Sequence, residues 1–220
     1  MNLKNYISTL HTSTNRDYIK RILDDKIDAM EIAKRYDLDY WDGDRKFGYG
    51  GYKYIENRWK VVAESLIKDY KLTDNSKVLD VGCGKGFLLY EIKKILPKIH
   101  LVGFDISDYA LNNSKTEIKK FLKKKKAQDK YNFDDKYFDL AISLGTLHNL
   151  KLSDLKNAII EINRVSKNQY IMVESYRNNK ELFNLQCWAL TCETFLSTDQ
   201  WIWFLKENNY KGDYEFIFFE

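Results

Sequence analysis

The apolar positions along this chain change rhythm twice. Between residues 16 and 36, Ile19, Ile22, Leu23, Ile27, Met30 and Ala33 recur at helical spacing and predict one helix with a single buried face. Ser13, Thr14 or Asn15 is placed to cap its start. Residues 58–70 repeat the pattern through Val61, Val62, Leu66 and Ile67. The stretch between these helices, YDLDYWDGDRKFGYGGYKYIENRW, has neither helical nor strand period. It sets Gly43, Gly48, Gly50 and Gly51 among many aromatic rings. Such rings are costly to leave in water, so a segment that covers a ligand is expected rather than a plain surface loop.

From Lys77 onward, short apolar runs alternate with amphipathic stretches. KVLDVG, HLVGFDI, YFDLAISLG, QYIMVES and DYEFIFF read as strands, and residues 86–96, 108–122, 152–165 and 198–208 read as helices. Trp201 and Trp203 are expected to pack the last helix onto the sheet. Strand and helix in alternation predict an α/β fold with a mostly parallel sheet covered on both faces. Such sheets bind ligands beyond the carboxyl ends of their strands, where the strand order reverses.

Composition narrows the class. A chain of 220 residues, 44% hydrophobic and 31% charged, has a real core and a solvated surface. That excludes a disordered or collagen-like chain. No apolar run approaches the roughly 20 residues of a membrane span. The N-terminal residues have no apolar stretch of signal-peptide length. The net charge of +4 is mild, so a nucleic-acid partner is not expected. Cys83, Cys187 and Cys192 have no zinc-type spacing and read as reduced thiols of a cytoplasmic protein. In LFNLQCWALTCETF, Leu182, Leu185, Trp188, Ala189 and Cys192 recur at helical spacing, which predicts that the thiols of Cys187 and Cys192 are buried.

The strongest motif is VLDVGCGKGF, residues 78–87. A buried strand ends at Val81 and is followed by Gly82, Gly84 and Gly86, then a helix. Alternate glycines let the backbone turn sharply and let a ligand approach without meeting a Cβ. The spacing is not the G-x-G-x-x-G of dinucleotide binders, and no G-K-[ST] follows. Asp80, in the strand, disfavours a pyrophosphate and favours a cation.

This D-x-G-x-G-x-G pattern resembles motif I of the class I S-adenosylmethionine-dependent methyltransferases. Two later landmarks follow in the family's order: GFDIS, with Asp105 ending the second strand, and NFDDKYFDLAISLGTLHNL around the fourth. The resemblance implies a Rossmann-like three-layer sandwich of six to seven strands and S-adenosyl-L-methionine as cofactor. It implies that Asp105 grips the ribose hydroxyls, a carboxylate being suited to a vicinal diol. Asp80, Gly82, Cys83, Gly84, Gly86, Ile106 and Leu144 complete the implied cofactor site, with Arg58 or Arg45 placed for the cofactor's carboxylate. One position departs from the family. Where relatives carry Asp for the adenine amino group, this chain has Ala127, leaving Gln128 or a shifted Asp129 for that contact. The flanking sequences, YWDGDRKFGYGGYKY, VESYRN and GDYEFIFFE, resemble a subgroup from bacterial surface-polysaccharide gene clusters.

A methyltransferase needs a general base only when its acceptor holds a proton of high pKa. His148, after the fourth strand, is the first candidate, and Glu174, after the fifth, is the second. A structural histidine and a Glu174 ion pair with Arg177 or Arg58 are the competing readings. Asn149, Tyr176, Arg177, Tyr49, Tyr52 and Glu193 are the expected acceptor contacts. The chain is thus expected to be one domain, 1–220. It comprises a helical arm and lid (1–75) and a cofactor-binding core (76–220) with a lid insertion (176–197). It would act, as monomer or homodimer and without a metal, on a small polar acceptor, carbohydrate-related or acidic. RNA or protein methylation, or a catalytically silent nucleoside-binding partner protein, are the alternatives.

Overall fold

The computed structural model describes residues 1–12, 15–50 and 52–220. Four short helices form the N-terminal arm: α1 (Ser8–Thr12), α2 (Tyr18–Leu23), α3 (Lys26–Ala33) and α4 (Leu38–Trp41). After α5 (Lys60–Asp69) come β1 (Lys77–Val81), α6 (Phe87–Ile95), β2 (His100–Asp105), α7 (Asp108–Asn112), α8 (Thr116–Lys119) and β3 (Leu122–Lys124). The second half runs β4 (Phe138–Leu144), α9 (Leu152–Val165), β5 (Ser166–Glu174), α10 (Asn179–Trp188), α11 (Thr198–Glu207) and β6 (Asp213–Ile217).

The sheet has six strands in the order β3-β2-β1-β4-β5-β6, and every pairing is parallel. Alternate residues of the central strands feed opposite faces. Leu79, Val81, Ala141, Ile171 and Val173 pack under α9 and α11, with Trp201 fully buried among them. Val78, Leu140, Ile142 and Tyr170 pack under α5 and α6. Burial on both faces is why the strands read as continuous apolar runs. Trp203, in contrast, is 62% exposed and packs nothing onto the sheet, because it points away from the face that Trp201 fills.

The N-terminus is tied to the far sheet edge. Leu3 bridges Tyr214 of β6, with hydrogen bonds of 2.8 and 3.0 Å from Lys4 and Tyr214. The buried Glu215 carboxylate accepts the backbone N–H groups of Tyr6, Ile7 and Ser8 at 2.7–2.9 Å. It also accepts the Tyr170 hydroxyl. A carboxylate at the first N–H groups of α1 satisfies donors that the short helix cannot. The edge strand is thereby covered.

The predicted helix over residues 16–36 is two helices. The chain breaks at Asp24 and Asp25, where Asp25 adopts φ 43°, and the cap of α2 is Asp17, which accepts the Lys20 N–H. Two of the expected cap residues, Ser13 and Thr14, lie outside the described residues. Only the end of the expected apolar face is inside: Ala33 is buried with Met30 packed beside it, whereas Ile19, Ile22, Leu23 and Ile27 are 40–78% accessible. Arg21 is buried in their place. Its guanidinium donates to the carbonyls of Arg45, Lys46 and Gly48 and stacks 4.8 Å from the Trp188 ring. Pinning the aromatic segment decides which face of α2 turns inward, overriding the apolar pattern. The predicted helix over 108–122 is likewise split, and Leu122 begins β3.

Candidate active site

One cavity of about 680 Å3 lies at the carboxyl ends of β1, β2, β4 and β5, beside the point where strand order reverses between β1 and β4. Its floor at one end is the loop after β1. Gly82, Gly84 and Gly86 all have positive φ there. A Cβ on Gly82 would come within 1.9 Å of the Thr146 hydroxyl, so this position admits only glycine. Gly86 stands behind the loop as the residue preceding α6 and does not line the cavity.

Two carboxylates face this end. Asp80 is 4% exposed, and its side chain has no hydrogen-bond partner among the described residues. Burial, then the nearby Asp105 charge, pushes its pKa up to about 8. Asp105 accepts the backbone N–H groups of Gly84 at 2.7 Å and Ser107 at 2.8 Å, one on each oxygen. Those bonds fix the carboxylate and leave each oxygen a further lone pair. Cys83, Ile106, Ala127, Gln128 and Leu144 line the same region. Asp129 does not; it accepts the Lys126 N–H at 3.3 Å and closes its own turn. Asp154, in the first turn of α9, lines the cavity 3.5 Å from the Gln128 amide.

At the other end, β5 delivers Glu174 and the turn after β4 delivers His148. The His148 Nδ1 accepts the Glu174 backbone N–H at 3.2 Å, so the ring's proton sits on Nε2, 3.5 Å from the Glu174 carboxylate. Burial drives the His148 pKa down to about 3 and keeps the ring neutral. Burial also raises Glu174 to about 7, against the pull of Arg16 and Lys26. The Glu174 Oε2 atom is buried and has no hydrogen-bond partner. The neutral ring thus spends its lone pair on the Glu174 N–H, while its Nε2–H stands 3.5 Å from Glu174 Oε2 without a hydrogen bond. Glu174 keeps an unpaired acceptor atom.

The roof comes from residues 36–50 and 52–59 and from the insertion after β5. Trp41 rests on the glycine loop, its ring 2.8 Å from where a Gly84 Cβ would stand. Asp42 forms a 2.7 Å ion pair with Lys85. Tyr40, Trp41 and Tyr52 pack together over the cavity with ring centroids 4.6–5.2 Å apart, Trp41 edge to face with both tyrosines. The Tyr49 hydroxyl accepts the Leu190 and Thr191 N–H groups, while Thr191 donates to Asn149. Tyr49 and Asn149 thus spend their polar atoms joining roof to wall. Glu193 lines the mouth but pairs with Lys34 at 2.5 Å.

Tyr176 and Arg177 fall outside the cavity. Tyr176 bridges Ser197 and packs in the insertion's own apolar cluster. Arg177 pairs with Glu181 and Glu220, not Glu174, and stacks 4.1 Å from the Phe218 ring. Arg58 lines the cavity and makes no ion pair among the described residues, whereas Arg45 is stacked 5.6 Å from the Trp188 ring, outside it. Arg16, Trp188 and Phe219 line the Glu174 end. Their positions in the sequence gave no sign of this, since each belongs to a different terminal or inserted segment. Cys187 and Cys192 are buried thiols.

Residues 72–214 match the sequence profile of a family described as "Methyltransferase domain". An uncharacterised protein of Methanocaldococcus jannaschii is 34% identical over 127 residues, which is 57% of this chain and 47% of that protein. A tRNA U34 carboxymethyltransferase of Nautilia profundicola is 33% identical over 102 residues, 43% of this chain and 33% of that protein. The chain thus spans less than half the length of either relative. Among solved structures, the geranyl diphosphate C-methyltransferase of Streptomyces coelicolor has a similar fold. Its TM-score is 0.56 at 14% identity, over 82% of this chain and 78% of that one.

Proposed function

Residues 72–214 make this chain a member of the methyltransferase-domain family, and on that premise we propose that it methylates a small polar acceptor, carbohydrate-related or acidic. S-adenosyl-L-methionine is the cofactor. When bound, it supplies a methyl group on a sulfonium that a nucleophile displaces in line. The residues present fit it. Asp80 is a buried carboxylate open to a cationic ligand, Asp105 is oriented with lone pairs to spare, and Arg58 is available to a carboxylate. Ile106, 44% exposed, offers an apolar surface to a base.

The observation that carries the acceptor reading is the buried, unpaired Oε2 atom of Glu174, a residue that lines the same cavity. A carboxylate whose pKa lies near 7 is matched to take a proton from an acceptor hydroxyl at neutral pH. His148 serves as a positioning residue: its Nε2–H faces the Glu174 carboxylate and its carbonyl accepts the Glu193 and Thr194 N–H groups. The roof excludes water and favours a small acceptor over a polymer strand. It acts as a lid over both ligands.

Calorimetric titration tests the cofactor reading. S-adenosylmethionine and S-adenosylhomocysteine are expected to bind at one site per chain. Failure of both to bind removes the reading. Retained binding with no methylation of any acceptor supports the silent-partner alternative.

A further inference from the structure

Resting on that reading of the cavity, we propose that Trp41, from the N-terminal arm, is a further cofactor-binding residue: its indole is a wall for the nucleoside part, beside the Asp105 carboxylate. Trp41 lines the cavity together with Gly84 and Asp105. The two backbone N–H groups that orient Asp105 belong to Gly84 and Ser107. Trp41 reaches both of those residues. The Cη2 edge of its ring stands 2.8 Å from the place of a Gly84 Cβ. Its Nε1–H donates to the Ser107 hydroxyl oxygen at 2.9 Å. The indole is thereby placed at the carboxylate and not merely somewhere in the roof.

The ring is also set before any ligand arrives. Its Nε1–H is shared with the Tyr36 carbonyl at 3.0 Å, and the Ser107 hydroxyl donates to the same carbonyl at 2.5 Å. With its one polar atom satisfied within the protein, the indole offers apolar surface to the cavity. Trp41 ends α4, and the next residue ties that end down. Asp42 accepts the Lys85 ammonium on both oxygens at 2.7 Å and the Tyr109 hydroxyl at 2.8 Å. Lys85 stands between Gly84 and Gly86, and Tyr109 lies in α7. The clasp thus fastens the arm to the glycine loop and to the segment after β2, the two stretches that supply Asp105's partners. Roof packing alone would bury the ring as it buries Tyr40, which is 8% exposed; Trp41 is only half-buried. A stiff aromatic side chain whose orientation is already fixed costs little entropy to place against a ligand.

Isotope-filtered NMR of the protein saturated with S-adenosylhomocysteine tests the contact directly. Nuclear Overhauser effects are expected between the Trp41 ring protons, identified by their loss in Trp41→Phe, and the ribose or adenine protons of the ligand. Calorimetry then compares S-adenosylhomocysteine with adenosine, the latter by displacement. Trp41→Leu is expected to weaken both by a similar factor of about tenfold or more, the loss that removing an aromatic wall brings to a nucleoside. Trp41→Phe, which keeps a ring, should lose only about threefold. Melting temperature checks that each variant is folded; if Trp41→Leu does not fold, the contacts in the unmodified protein and the Trp41→Phe titrations decide. Bound S-adenosylhomocysteine without those contacts overturns the proposal. So does a Trp41→Leu loss confined to S-adenosylhomocysteine, which would set the indole against the amino-acid part. Failure of S-adenosylhomocysteine itself to bind the unmodified protein defeats the methyltransferase reading instead.

Discussion

The two ends of the cavity are built in opposite ways. The Asp80–Asp105 end comes from one short stretch of chain, a strand, a glycine turn and the tip of the adjacent strand. Main-chain bonds fix its geometry, and its carboxylates keep lone pairs for a ligand. The Glu174 end is assembled from the arm, β5, the insertion and the C-terminal residues, which meet only in the folded chain. Its geometry rests on side chains bonded to backbone groups of segments distant in the sequence, His148 to the Glu174 N–H and Tyr49 to the Leu190 and Thr191 N–H groups. On the proposed function, the first end would hold the cofactor and the second would meet the acceptor.

The sharpest way to break that division is at Glu174. Glu174→Gln should lower turnover by about 10²-fold or more, while S-adenosylhomocysteine affinity is unchanged. Wild-type turnover should climb with pH to a plateau above about 7, and the variant should lose that rise. Stability carries the same signature with the opposite sense. The folded-state pKa of about 7 exceeds the ordinary 4.5, so this group's contribution is full below pH 4.5 and is lost as pH rises through 7. Melting curves from about pH 5 to about pH 8 should therefore be flatter for Glu174→Gln. If the variant keeps full turnover, proton transfer does not pass through this end.

The complementary change is Asp105→Ala. Loss of a charged acceptor of two hydrogen bonds should weaken S-adenosylhomocysteine by about 1.5–3 kcal/mol, roughly tenfold to a hundredfold. Unchanged affinity in a calorimetric titration would remove the ribose assignment.

The same contrast explains what the sequence could tell. The parallel sheet, the glycine loop and the placing of Asp80 and Asp105 beside it were legible because each is local: burial on two faces and a turn needing positive φ leave their mark on neighbouring residues. Residues 16–36 misled, because their apolar spacing is real while the buried side chain is Arg21, whose carbonyl partners lie on residues 45, 46 and 48. Arg177 misled for a related reason: VESYRN looks like one lip of the site, yet Glu181 one helical turn on captures the guanidinium. His148 was placed in the right region, but only the Glu174 N–H reveals its tautomer. Arg16, Trp188 and Phe219 have no spacing relation to one another and were out of reach.

Asp80 sharpens the comparison through protons. Held near 8 by burial, it is largely protonated at neutral pH in the free protein. A cationic ligand beside it favours the charged form. Binding of S-adenosylmethionine should then release up to about one proton at pH 7. Affinity should rise by at most about tenfold per pH unit until about pH 8. Titrations in buffers of different ionisation enthalpy measure the release. Asp80→Asn should abolish it, and a release that persists in that variant places the proton elsewhere.

The smallest expected effect lies at the edge of the cofactor end, where the local motif gives out. Ala127 has no group for an adenine amino hydrogen, and Asp129 is engaged by the Lys126 N–H. Asp154, from α9, also lines the cavity, and its side-chain hydrogen bond among the described residues is a 3.5 Å contact with the Gln128 amide. An acceptor of one neutral N–H is worth about 0.5–1.5 kcal/mol. Asp154→Ala should therefore weaken S-adenosylhomocysteine about threefold to tenfold and leave S-inosylhomocysteine, which lacks the amino group, essentially unaffected. Equal losses for both ligands would mean that Asp154 supports the loop rather than the base. Even this contact of the cofactor end would then depend on the local backbone alone.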